Sequence, residues 1–195
     1  MKLNNCFCKD VNNEDFFKWY IELLGPVILG VKPAEILSFP EGYNENTELL
    51  KRFFEENTPL RFEEYTYCSK CTKLFIYHPD ALEKTISEYK NIKFLKGIGY
   101  PTIFSVRKYV DFILSKMREG QIPDEIGVFL GYPLKDVLGF MGHPSLKLTK
   151  VDGWRVYGDE RLSHIKRQSF ISAREEIKNI LIKSGIEGIL QLQIS

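Results

Sequence analysis

Near the start of the chain, Phe16, Phe17, Tyr20, Ile21 and Leu24 recur at i, i+1, i+4, i+5 and i+8, the stripe of an amphipathic helix. Asn12-Asn13-Glu14-Asp15 supplies a cap and first-turn acids that the helix dipole favours, and Gly25-Pro26 is expected to close the helix. Ala34 to Phe39, apolar and bounded by prolines, fits a strand or a buried loop. Asn46 and Thr47 can cap a second helix carrying Leu49, Leu50, Phe53 and Phe54. Arg61 to Tyr67 and Lys73 to Tyr77 are aromatic and β-branched runs joined by Cys68-Ser69-Lys70-Cys71, which predicts a β-hairpin. Pro79-Asp80 starts a helix through about Tyr89.

Gly97-Ile98-Gly99-Tyr100-Pro101 punctuates the chain. Beyond it lies the clearest amphipathic helix, with Ile103, Val106, Val110, Ile113, Leu114 and Met117 on one face and Arg107, Lys108, Asp111 and Arg118 on the other. Two short apolar segments follow, Asp124 to Leu130 and Leu134 to Met141, separated by Gly131-Tyr132-Pro133. Trp154 to Tyr157 predicts a strand, with Trp154 and Val156 facing one side and Arg155 and Tyr157 the other. Asp159 caps a long helix that Gly185 should stop, and Leu190 to Ile194 alternates as an edge strand would. Interleaved helices and strands favour α+β or α/β over all-α, and the expectation is a mixed α+β fold, one compact domain over 1–195 with a small mixed or antiparallel sheet. Within it, 1–12 reads as a flexible N-terminal segment and 121–195 as a C-terminal subregion.

The chain has 195 residues and a formal net charge of +1, so no global field commits it to nucleic acid or to an anionic membrane. Charge is graded mildly, net −5 over 1–64 and +3 over both 65–146 and 147–195. No apolar stretch approaches the roughly 20 residues of a membrane helix. The N-terminus lacks the apolar core of a signal peptide, which predicts a cytoplasmic protein whose four cysteines are thiols or metal ligands. The basic residues of the last third stand among too few aromatics for a base-stacking platform, which argues against nucleic acid.

Cys68-Ser69-Lys70-Cys71 at a hairpin turn can present two thiolates to one tetrahedral ion, zinc or iron, with Cys6 and Cys8 supplying the other two. A thiol-redox pair is the alternative, and four reduced thiols, some buried, the plain one. A thioredoxin-like pair would open a helix, whereas this one lies between strands. His78, His143 and His164 lack metal-site spacing, no nucleophile elbow occurs, and Gly97-x-Gly99 lacks the rest of a phosphate loop. No cofactor is predicted. Asp124-Glu125 complements a helix N-terminus, with a general acid/base pair as the sharper alternative. Arg155 and Tyr157 form either a half-exposed cation–π set or a ligand contact.

The runs Gly25 to Ala34, Leu37-Ser38-Phe39, Tyr77-His78-Pro79, Gly99-Tyr100-Pro101, Asp124 to Val137 and Trp154 to Asp159 resemble, in order and spacing, the uncharacterised domain-of-unknown-function family 3793. The resemblance covers about residues 14 to 185. It implies a bacterial protein, from anaerobes, associated with iron or redox metabolism. The chain departs from the family pattern in lacking cysteines before Trp154, in His78 where arginine is usual, and in Cys6 and Cys8, which lie outside the matching region.

The expectation is therefore an accessory or binding protein without its own catalysis, acting through a protein partner or small-molecule ligand. The contact surface expected is Asp124, Glu125, Tyr132, Arg155 and Tyr157, on Gly/Pro-bounded loops that could hold polar groups rigidly. The alternatives are a metal or thiol-redox protein on Cys68 and Cys71, and an enzyme with an unfamiliar site.

Overall fold

A computed structural model describes residues 13–40, 44–68, 71–118 and 122–192. Its centre is a three-stranded antiparallel sheet of order β1-β3-β2, with β1 at Ala34–Pro40, β2 at Arg61–Cys68 and β3 at Cys71–Tyr77. The middle strand explains the layering. Leu74, Phe75, Ile76 and Tyr77 are each at most 3% exposed, an unbroken apolar run of the kind a strand covered on both faces carries. Leu74 and Ile76 face a core shared with Leu37, Phe39 and Leu60, and Phe75 and Tyr77 face a second core shared with Ala34 and Tyr65.

The first core is closed by α1 (Asn13–Ile28), α2 (Asn44–Asn57) and α8 (Arg161–Gln191). The second is closed by α3 (Pro79–Ser87), α4 (Tyr89–Gly97), α5 (Val106–Arg118), α6 (Ile126–Phe129) and α7 (Leu134–Phe140). A separate hairpin, β4 (Leu148–Asp152) with β5 (Trp154–Tyr157), turns at Gly153 and packs beside α7. The fold is mixed α+β.

Several local expectations are corrected. Helix α1 runs through Gly25-Pro26 to Ile28. Gly25 is there for proximity to α8, since a Cβ would lie 2.9 Å from Ile177 Cγ1. Proline removes one N–H from the ladder, a cost set against the complete burial of Val27. Gly30, with φ +65, ends the turn. The helix from Pro79 breaks at Glu88, whose φ −51, ψ 129 is not helical, and α4 follows. Ile103 precedes α5 and is 73% exposed rather than part of its buried face.

Strand β4 was hidden because Leu148 and Val151 point their apolar side chains at solvent, so its sequence has no core-facing alternation. Gly185 interrupts α8 with φ 62, ψ −156, yet helix resumes to Gln191. The expected edge strand at Leu190 to Ile194 is thus replaced by helix at Leu190 and Gln191. Ile186, Ile189 and Leu190, at i, i+3 and i+4, join the first core, and that helical spacing prevails over a short period-two pattern. Ile194 lies outside the described residues.

Candidate functional site

The loop after α1 is drawn against the loop between α6 and α7. Gly131 has φ +78 and sits so close to Pro33 that a Cβ would lie 2.6 Å from Pro33 Cδ. This contact brings Lys32 under Tyr132. The Lys32 ammonium donates to Glu35 Oε2 at 2.6 Å and lies 5.7 Å from the centroid of Tyr132 and 5.6 Å from that of Phe170. Burial works against its charge, but the Glu35 carboxylate and Tyr132 more than offset it and hold the proton above the ordinary lysine value. Burial likewise pushes the Tyr132 hydroxyl up. Tyr132 in turn stacks on Trp154, 4.6 Å between centroids and 16° from parallel.

Beneath that stack lies a buried polar hub. Asp136, 2% exposed, accepts from Trp154 Nε1 at 2.8 Å and Ser163 Oγ at 2.6 Å through one oxygen. The other oxygen accepts from the Tyr157 backbone N–H at 2.8 Å and Lys135 Nζ at 2.6 Å. Lys135 also donates to the Tyr157 carbonyl at 2.8 Å and to Ser163 Oγ at 2.7 Å. A serine hydroxyl bonded to a lysine is the raw material of a nucleophile, but Ser163 is 1% exposed and its proton is already given to Asp136. The hub is a cross-link joining α7, β5 and α8, with each buried charge paired, as burial demands.

The five expected contact residues are not brought onto one surface. Asp124 is exposed and Glu125 is 3% exposed. Glu125 accepts from Lys116 Nζ and from the Tyr100 hydroxyl, the latter at 3.3 Å. Burial and this carboxylate push the Tyr100 hydroxyl far above its usual value. Tyr132 belongs to the stack. Tyr157 is 8% exposed, its ring pressed on Gly139, where a Cβ would lie 2.3 Å from the Tyr157 Cγ. Arg155 alone of the β5 pair is exposed, with its guanidinium carbon 5.4 Å from the centroid of Phe140.

Cys6 and Cys8 lie outside the described residues. Cys68 and Cys71 are register partners across the β2–β3 turn. Among the described residues no three or more His, Cys, Asp or Glu gather as a metal site. His78 sits at the N-cap of α3, its Nδ1 facing the Ala81 N–H at 3.5 Å, and His143 Nδ1 accepts from the Ser145 N–H at 3.3 Å. Sequence reasoning missed Lys32, Lys135, Asp136 and Ser163. The one available signal was Asp136 itself, an acid beside Val137 on the inward face of a short apolar segment.

At the end of α7 and on β4 the structure leaves apolar side chains open to solvent. Phe140 (44%), Met141 (41%), Leu148 (52%) and Val151 (70%) are exposed, and Val151 stands opposite Arg155 in the β4–β5 register. Elsewhere, a shallow depression of about 430 Å³ along α8 is lined by Ser172, Glu175, Glu176, Asn179, Ile180 and Lys183. Among the described residues no helix is long and apolar enough to cross a membrane.

No curated protein and no solved structure matches the chain. A family model described as "Protein of unknown function (DUF3793)" matches residues 21–190. That span contains Lys32, Tyr132, Asp136, Trp154 and Ser163, so the stack and the hub fall within the matched region. The chain belongs to the DUF3793 family.

Proposed function

We propose that this chain is a non-catalytic binding protein that meets a protein partner through the face formed by α7 and the β4–β5 hairpin. The carrying observation is the contrast between the hub and the face above it. Lys135, Asp136 and Ser163 spend their reactive atoms on one another and on β5, while Phe140, Met141, Leu148 and Val151 remain open to solvent on the elements so braced. Exposed apolar residues on a rigid support are what an interface needs, because little side-chain and loop entropy is then lost on binding. Phe, Met and Arg are also types enriched at interface cores. Of the residues expected from sequence, Arg155 belongs to this proposed face and Tyr157 packs on α7 beside it.

The test is a photo-crosslinking residue placed at Met141 or Val151, with a control at Glu176 on α8, in cells producing the chain. One protein adduct common to positions 141 and 151, absent from 176 and lost when Phe140 is changed to Ser, supports the reading. Equal adducts at all three positions, or none, overturn it.

A second reading has its own observation. Cys68 and Cys71 are partners in the β2–β3 backbone register at the CxxC spacing that two-thiolate metal sites use, and such a site would suit the iron or redox role that the family resemblance implies. Metal analysis of untagged, anaerobically purified protein tests it. Bound zinc or iron, lost on changing Cys71 to Ser, supports the site. Absence of both metals in the parent chain, with no thiol oxidation under air, removes it.

A further inference from the structure

The charges around the hairpin face specify the partner's chemistry. Residues 140–170 carry six Lys or Arg and three Asp or Glu. All three acids are taken: Asp152 by Arg167 at 2.7 Å, Glu160 by Lys150 at 2.9 Å, and Asp159 by Arg161. Among the described residues, no carboxylate pairs with Lys147, Arg155 or Lys166. Of these, Arg155 lies beside the apolar side chains, its guanidinium carbon 5.4 Å from the Phe140 centroid and its backbone opposite Val151.

We infer that the face receives a protein segment that sets a carboxylate beside an apolar side chain, the carboxylate pairing with Arg155 and the apolar group covering Phe140 and Val151. The inference rests on the binding reading above and names its partner class. The Phe140 ring attracts the Arg155 cation, and the planar guanidinium fork matches a carboxylate bidentately. An anionic membrane is the poorer fit. Membrane recognition takes clusters of about 4–8 basic residues, whereas Lys147, Arg155 and Lys166 are the cations of this segment without a carboxylate partner among the described residues. Asp152, Asp159 and Glu160, all partly or fully exposed, would also face the lipid charge.

The test titrates ¹⁵N-labelled chain with three probes: a helical peptide bearing Leu and Glu on one face, its Lys-for-Glu counterpart, and vesicles of phosphatidylserine with phosphatidylcholine. The Leu/Glu peptide should shift amides of 139–142 and 148–157, and Arg155→Glu should weaken it tenfold or more. Added salt should also weaken it, and the Lys counterpart should leave the spectrum unchanged. Arg155 is exposed, so a matching thermal melt confirms that the variant is folded. Equal response to both peptides, undiminished binding by Arg155→Glu, shifts with vesicles alone, or no shift with any probe overturns the inference. If the 141/151 adduct persists in Arg155→Glu, the interface reading stands and the carboxylate assignment falls.

Discussion

Asp136→Asn puts the hub to the hardest test, because the change keeps the shape of the side chain and removes only charge and one acceptor. The carboxylate takes four hydrogen bonds, from Trp154, Tyr157, Lys135 and Ser163. With the amide oxygen kept toward Tyr157 and Lys135, the NH₂ group meets the Trp154 indole N–H, which can only donate. A buried donor stranded in this way costs about 1–3 kcal/mol. Ser163 can rotate its hydroxyl to accept, which offsets part of its loss. Lys135, whose side chain is 22% exposed, recovers some hydration but loses its counter-ion. Removing one partner of a buried pair costs about 3–5 kcal/mol in all.

For a chain of this length each kcal/mol moves Tm by roughly 2–4 °C, so calorimetry should show a fall of about 6–20 °C. Trp154→Phe removes the stranded donor, so the double variant should lose less than the sum of the singles, by about 0.5–3 kcal/mol. A loss under about 1 kcal/mol, or strict additivity, would refute the hub as a cross-link.

Other consequences are as direct. Gly131→Ala should pay about 1–2 kcal/mol for its left-handed backbone and a further ~1–3 for overlap with Pro33. Gly99→Ala, at φ +100 but with nothing within 4 Å, should pay only the first. Urea titration ranks the two, and equal losses would contradict the close approach of the loops. Asp159, held by the hydrogen bonds of the Arg161 side chain and then of its backbone N–H, should titrate at about 2. Because the folded value is lowered, its stabilising bond is complete above the ordinary 3.8 and is lost as pH falls from there through about 2. A carboxyl-carbon NMR titration reads this directly, and Arg161→Gln should move the midpoint upward. No movement would refute the assignment.

The central sheet was legible because its strands are rich in aromatic and β-branched residues bounded by turn signals. The Arg61 and Lys73 runs form the expected hairpin, and Ala34 to Phe39 is a strand. What periodicity could not give is which strand lies in the middle. That is settled by pairing: β3 bonds to β1 along one edge and to β2 along the other, a long-range choice that no single strand's pattern encodes. The misread elements differ in cause. At Glu88 the break depends on one backbone angle, and at Gly25-Pro26 helix continues where a distant helix lies close. At Gly25 a tertiary contact accompanies the override of a local stop signal.

The site was harder for a related reason. Sequence shows that a residue is polar, not whether its polarity is already spent. Asp136 and Arg155 look alike on that count, yet one is enclosed by partners 18 to 27 residues downstream and the other lies in the open near Phe140. Strand alternation correctly put Trp154 and Val156 inward and Arg155 outward, and by the same rule assigned Tyr157 to the outward side with Arg155. It did not say that α7 covers that side at one end only. Gly139, with no side chain, lets the Tyr157 ring close against the helix, while one residue further Phe140 holds Arg155 at the rim. The boundary between structural and available residues on β5 is therefore drawn by a glycine on a neighbouring helix, 18 residues from Tyr157. Enlarging Gly139 should expel Tyr157 and disturb the hub as well as the face, whereas changing Arg155 should touch the face alone. That separation is why Arg155, rather than Tyr157, is the residue on which binding can be tested without unfolding its support.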